Sequence, residues 1–135
     1  MRDINMKLLL KVVLSVLPII IFVSCMDSPV NNPGKIVFPE KDITYTQHVE
    51  PLLRFSCNAP GCHNSMDRKG NIILDTYEQL IMSYGGQMVV AGDPDRSMLI
   101  KIILRQVPHS LLVDFRVNNE QIIGLRRWIR NGAPR

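Results

Sequence analysis

The stretch FSCNAPGCHNS, residues 55–65, holds two of the three cysteines and one of the three histidines in the chain. Cys57 and Cys62 are separated by four residues, and His63 follows the second directly. Three chemistries suit that set. The thiols can close a small-loop disulfide in an exported, oxidising setting, leaving His63 as an ordinary surface residue. Two thiolates and an imidazole can bind zinc, but a structural site takes a fourth ligand. His48 or His109 would have to supply it, and the spacing matches no common zinc pattern. In the third chemistry, each S–H adds across a vinyl group of one haem to give a thioether, and His63 supplies an axial nitrogen to the iron. The usual spacing for haem attachment is C-x-x-C-H. The longer loop here contains Pro60 and Gly61, which let the chain bulge and turn tightly.

No second constellation competes for the chemistry. A nucleophile elbow, a phosphate-binding loop and an H-E-x-x-H pair are all missing from the sequence. Glu50, Asp75, Asp93 and Asp95 read as helix caps or solvated charges. The chain is therefore expected not to be an enzyme. Of its formal charge of +4, a net +2 comes from Arg2, Asp3, Lys7 and Lys11 near the start. What remains is too little for a nucleic-acid partner, and no basic stripe interleaved with aromatics appears. LRRWIR near the end reads as one solvated helix face.

The start of the chain predicts where the protein works. Basic residues precede a long apolar run that ends FVSC at Cys25, the pattern of a secretory signal over 1–24. Lys11 interrupts the run and leaves 13 residues before Cys25. A spanning helix needs roughly 20. A small residue before a cysteine resembles a bacterial lipoprotein signal, which implies cleavage before Cys25 and acylation of its thiol. Phe22 departs from the leucine usual at that position. Residues 25–42, rich in proline and turn formers, read as a flexible tether. That leaves one small domain over 43–135, a size that calls for added stabilisation by a disulfide, a metal or a large apolar cofactor.

The elements that must hold Cys57, Cys62 and His63 in place are helical. TYTQHVEPLLRFS sets Val49, Leu52 and Leu53 on one face, with the helix starting near His48 because Pro51 fits only in a first turn. DTYEQLIMSYGG follows, with Asp75 as cap, Glu78 completing the box and Gly85–Gly86 as stop. GDPDRSMLIKIIL predicts a helix capped by Asp93 with Pro94 first, burying Met98, Leu99, Ile102 and Ile103. The last helix, NNEQIIGLRRWIRNG, has Asn118 and Gln121 as a capping box, Gly132 as terminator and Ile122, Leu125, Trp128 and Ile129 as its stripe. Gly124 within it implies either close approach of another helix or a tolerated surface glycine. NIILD and MVVAG are short apolar runs that fit strands or extended links. The fold class expected is all-α, with the first and last helices packed together.

Four segments in order, YTQHVEPLLRFSCNAPGCHNS, GNIILDTYEQL, VVAGDPDRSMLIKIIL and NNEQIIGLRRWIRNGAP, resemble the small cytochrome c-like domains of exported bacterial proteins. The likeness covers roughly 44–134. It implies a cytochrome c fold around a haem pocket, one covalent haem c on Cys57 and Cys62, and His63 as proximal iron ligand. It also implies a Met-Pro loop before the last helix, whose methionine is the second axial ligand. Leu111–Leu112 stands there instead, and no methionine lies after Met98. His109 can swing in as a second imidazole, Met88, Met98 or His48 can reach from elsewhere, or the sixth position stays open. His109 is the preferred candidate, because Met98 reads as core packing. The expected function is a lipid-anchored monohaem c-type cytochrome of the bacterial cell envelope, passing single electrons between periplasmic or surface redox proteins. The alternative is a non-haem interaction lipoprotein with a Cys57–Cys62 disulfide on the same helical frame.

Overall fold

The computed structural model describes residues 33–109 and 117–135. The expected leader over 1–24, the expected acylation site Cys25, the first part of the expected tether and Leu111–Leu112 lie outside the described residues.

Thr44 opens the first helical segment: its Oγ1 accepts a hydrogen bond from the Gln47 N–H at 3.4 Å. One π-helical turn, Tyr45–Val49, runs directly into helix α1, Glu50–Ser56. Pro51 sits in the first turn of α1, where its missing N–H costs nothing. Helical structure therefore begins slightly earlier than the proline placed it. Val49, Leu52 and Leu53 are buried as their spacing predicts.

Helix α2, Tyr77–Gly86, is capped one residue later than expected. Thr76 Oγ1 accepts from the Gln79 N–H at 3.2 Å, and Gln79 Oε1 accepts from the Thr76 N–H at 3.0 Å. Asp75 is not the cap because its carboxylate is already engaged. It accepts from the Ser65 N–H at 2.8 Å and from Asn58 Nδ2 at 3.3 Å.

Helix α3, Met98–Ile103, is shorter than the expected one, with Ser97 at its N-cap. Asp93 Oδ1 accepts from the Arg96 N–H at 3.1 Å and so closes a separate turn. Ser97 Oγ then accepts from the Val90 N–H at 2.9 Å and donates to the Asp93 carbonyl at 2.9 Å, tying that turn to the preceding link. The link 87–90 turns and bends rather than forming a strand, and the Met98 and Leu99 amides bond to the Gln87 and Met88 carbonyls. No strand forms among the described residues.

Helix α4, Asn119–Arg130, has the predicted capping box of Asn118 and Gln121. It ends as predicted at Gly132, whose φ of +94° suits only glycine without strain. Leu125, Trp128 and Ile129 are fully buried together with Val49, Leu52 and Leu53, so the first and last helices share one core. Burial of each large side chain in that set contributes about 1.5–3 kcal/mol. The Tyr45 and Trp128 rings lie 6.5 Å apart, and the Pro134 carbonyl accepts from both the Tyr45 N–H and Trp128 Nε1.

Residues 33–42, expected as tether, lie against α4. Ile36 is buried, its carbonyl accepts from Gln121 Nε2 at 3.1 Å, and the Pro39 carbonyl accepts from Arg127 Nη1 at 2.9 Å. The close approach that Gly124 signalled is made here, by the Phe38 side chain rather than by another helix. A methyl group at position 124 would overlap Phe38 Cβ and Cγ. The packed domain therefore begins ahead of residue 43.

Candidate functional site

Cys57 stands at the C-cap of α1, its N–H bonded to the Leu53 carbonyl at 2.7 Å. Asn58, Ala59, Pro60 and Gly61 then turn the chain. The Cys62 N–H closes on the Ala59 carbonyl at 3.0 Å, and Gly61 takes the φ of +81° that the turn requires. The His63 N–H returns to the Cys57 carbonyl at 3.0 Å. The four-residue spacing is thus folded into a closed loop that gathers Cys57, Cys62 and His63 on the wall of one cavity.

The loop is braced by short polar side chains. Asn64 Oδ1 accepts from the Met66 and Asp67 amides, both at 2.9 Å, while Asn64 Nδ2 donates to the Ala59 carbonyl at 3.1 Å. Asp67 Oδ2 accepts from the Gly61 N–H and from Asn64 Nδ2, each at 2.7 Å. The Asn64 amide and then the Gly61 N–H hold the Asp67 carboxyl below its usual range. Asn58 Nδ2 donates to the Leu74 carbonyl at 2.7 Å. Asp75 ties the far end of the loop to this network. The sequence reading assigned none of these braces. Its one usable signal was Asn64 three residues before Asp67, the spacing of a capping turn.

His63 is fixed at three points. Its N–H is bonded as above, its carbonyl accepts from the Leu74 N–H at 2.8 Å, and its Nδ1 lies 2.9 Å from the Lys69 carbonyl. A carbonyl only accepts, so Nδ1 carries the proton and Nε2 presents its lone pair. Burial, with a smaller effect from His109, pulls the His63 pKa down against the opposing hydrogen bonds to the Lys69 and Ile72 backbones. The imidazole is therefore kept neutral, the state that ligates metal. A backbone carbonyl on the other ring nitrogen is the usual way of orienting such a ligand.

His109 also lines the cavity and packs edge-on against His63, with ring centroids 5.9 Å apart and ring planes at 64°. The cavity has a volume of about 590 Å³. Cofactor sites commonly occupy about 300–1,000 Å³. Its walls are apolar, from Ile72, Leu74, Leu99, Ile103 and Val107 among others. Ser56 Oγ, on the same wall and only 6% exposed, has no hydrogen-bond partner among the described residues. A large, flat, mostly apolar group with a metal at its centre fits this set of residues.

Zinc fits less well. Among the described residues, no three His, Cys, Asp or Glu side chains converge to hold an ion. His48, weighed as a zinc or iron ligand, does not line the cavity. Its Nδ1 accepts from the Thr44 N–H at 3.2 Å and its ring packs on Phe38. Met88 and Met98, by contrast, both line the cavity, and Met98 also packs against the core as expected. Cys57 and Cys62 are free thiols. Burial, and then the neighbouring Cys62, push the Cys57 thiol up to about 12, so it stays protonated at neutral pH. Helix α4 supplies none of the described lining residues and backs α3 and the core instead.

A family model described as Planctomycete cytochrome C matches residues 60–111, a span that includes Cys62, His63 and His109 and starts just after Cys57. No curated protein and no solved structure matches the chain. The family match and the all-α architecture support a cytochrome c-like domain. The match also suggests a haem-binding electron carrier and implies covalently bound haem c.

Proposed function

We propose that the domain binds one haem c and carries single electrons between redox proteins of the bacterial cell envelope, without catalysing a reaction of its own. The observation that carries this reading is one apolar cavity lined together by His63, His109 and two free thiols. Cys57 and Cys62 would form the thioethers. His63, oriented by the Lys69 carbonyl, would be the proximal ligand and His109 the distal one. The haem, when bound, supplies the one-electron couple. The residues around it exclude water and fix the axial nitrogens. Two imidazoles in place of an imidazole and a thioether favour a lower reduction potential.

The leader over 1–24 and Cys25 support a lipid anchor in the envelope membrane, which would raise the local concentration near membrane-bound partners. Nothing in the charge pattern favours a nucleic acid as partner. The alternative, a Cys57–Cys62 disulfide on a non-haem interaction lipoprotein, draws its support from the missing Met-Pro loop, while the two thiols are unbonded in this structure.

The test is expression with a haem-attachment system, followed by a visible spectrum and a denatured mass. A covalent adduct of one haem, lost in Cys57→Ala/Cys62→Ala, is expected. A colourless chain two mass units below its fully reduced form would refute the proposal in favour of the disulfide.

A further inference from the structure

Helix α2 is regular only as far as Met82. The chain then reverses through Ser83 (φ −59°, ψ 148°), Tyr84 (φ 57°, ψ 37°) and Gly85 (φ 64°, ψ 32°), with Gly86 at φ 80°. Glycine adopts left-handed angles freely, whereas a bulky aromatic residue does so at a cost of roughly 1–3 kcal/mol. The two residues after Tyr84 are glycines, so the same reversal would form more easily with a third. The turn is held from outside. Ser83 Oγ lies 2.6 Å from the Gln79 carbonyl and 3.2 Å from the Ile73 carbonyl, and the Gln87 and Met88 amides bond to the Tyr84 and Ser83 carbonyls at 3.2 Å each.

The strained side chain stands at the cavity. Tyr84 lines it and is 56% exposed, whereas the walls behind it, such as Leu74, Met88 and Leu99, are buried. Apart from the two imidazoles, it is the one aromatic ring among the described lining residues. Its place is the mouth, where an apolar cofactor would meet water.

We propose that Tyr84 is a positioning residue whose ring lies across the mouth of the cavity and shields the bound porphyrin from solvent. This rests on the haem reading above. Water stabilises the more highly charged ferric site, so uncovering the haem lowers its potential. Strain at position 84 is retained because glycine there would leave the mouth open.

The experiment compares haem-loaded wild-type chain with Tyr84→Gly, Tyr84→Ser and Tyr84→Phe. Reduction potential is measured, together with the perturbation of the Soret band by D2O or glycerol. The glycine and serine variants should raise the ferric-to-ferrous ratio at fixed ambient potential up to roughly tenfold, about 59 mV for one electron. They should also show a larger solvent perturbation. Tyr84→Phe keeps the ring and should match wild type in both. Unchanged potential and perturbation in the open variants would overturn the proposal, as would a phenylalanine variant behaving like them. Wild-type chain that takes up no covalent haem would instead remove the haem reading beneath it.

Discussion

The two sides of the cavity are built on different principles. On the His63 side, residues 57–75 form a loop in which the Asn58 and Asn64 amides and the Asp67 and Asp75 carboxylates bond to backbone groups of the loop and to one another. On the His109 side, α3 ends in a backbone-only turn, with the Leu104, Arg105 and Gln106 amides on the Ile100, Ile102 and Lys101 carbonyls. Val107 and Pro108 then lead to His109. One imidazole is located by side-chain bracing within its own loop. The other stands beyond the turn that closes α3. A ligand braced in the first way is preorganised.

Substitution of each histidine should break the two sides unequally, and this is the largest effect expected. His63→Ala should abolish the low-spin spectrum and leave little matured holoprotein. His109→Ala should keep the covalent haem but convert the spectrum to a form with an open or replaced sixth position. A low-spin spectrum identical to wild type in His109→Ala would remove His109 as ligand and turn attention to Met88 and Met98.

A substitution on α4 tests whether the helix behind both sides matters to either. Gly124→Ala drives a methyl group into Phe38 and should cost about 1–3 kcal/mol in urea denaturation, with no change in the haem spectrum. A spectral change would mean that the 33–42 segment reaches the site.

Asp75→Ala should act on the His63 side alone. It leaves the Ser65 amide and Asn58 Nδ2 short of an acceptor, and about 1 kcal/mol of stability should go with them. Faster hydrogen exchange across residues 58–67, with α3 unaffected, is the accompanying signature.

The smallest effect is a pH dependence. The folded-state pKa of Asp67 is depressed, so its contribution is present above the unfolded value of about 3.9 and fades as pH falls through the lower folded one. Wild type should lose slightly more stability than Asp67→Asn between about pH 5 and the acid limit. Parallel acid limbs for the two proteins would show that this carboxylate contributes nothing to the loop.

Most of the helical frame was legible in advance, because caps and stripes are local. Asn118 and Gln121 sit three residues apart and bond to each other wherever the rest of the chain goes. The same local logic misplaced the caps of α2 and α3. Asp75 has the right chemistry for an N-cap, yet its oxygens are taken by Ser65 and Asn58, ten and seventeen residues away. Asp93 closes its own turn, and Ser97 is drawn to Val90. Gly124 left close approach of another helix and a tolerated surface glycine both open, and the neighbour it meets, Phe38, is distant in sequence.

Residue types and spacing alone left two thiols and an imidazole open to a disulfide, zinc or haem, because the valence of sulfur and the lone pair of nitrogen travel with the side chain, and the resemblance favoured haem. The tautomer and neutrality of His63, its contact with His109 and the left-handed backbone of Tyr84 beside the cavity came from tertiary structure. Each depends on a backbone carbonyl, a buried wall or a left-handed turn, and those exist only once distant segments have packed against one another.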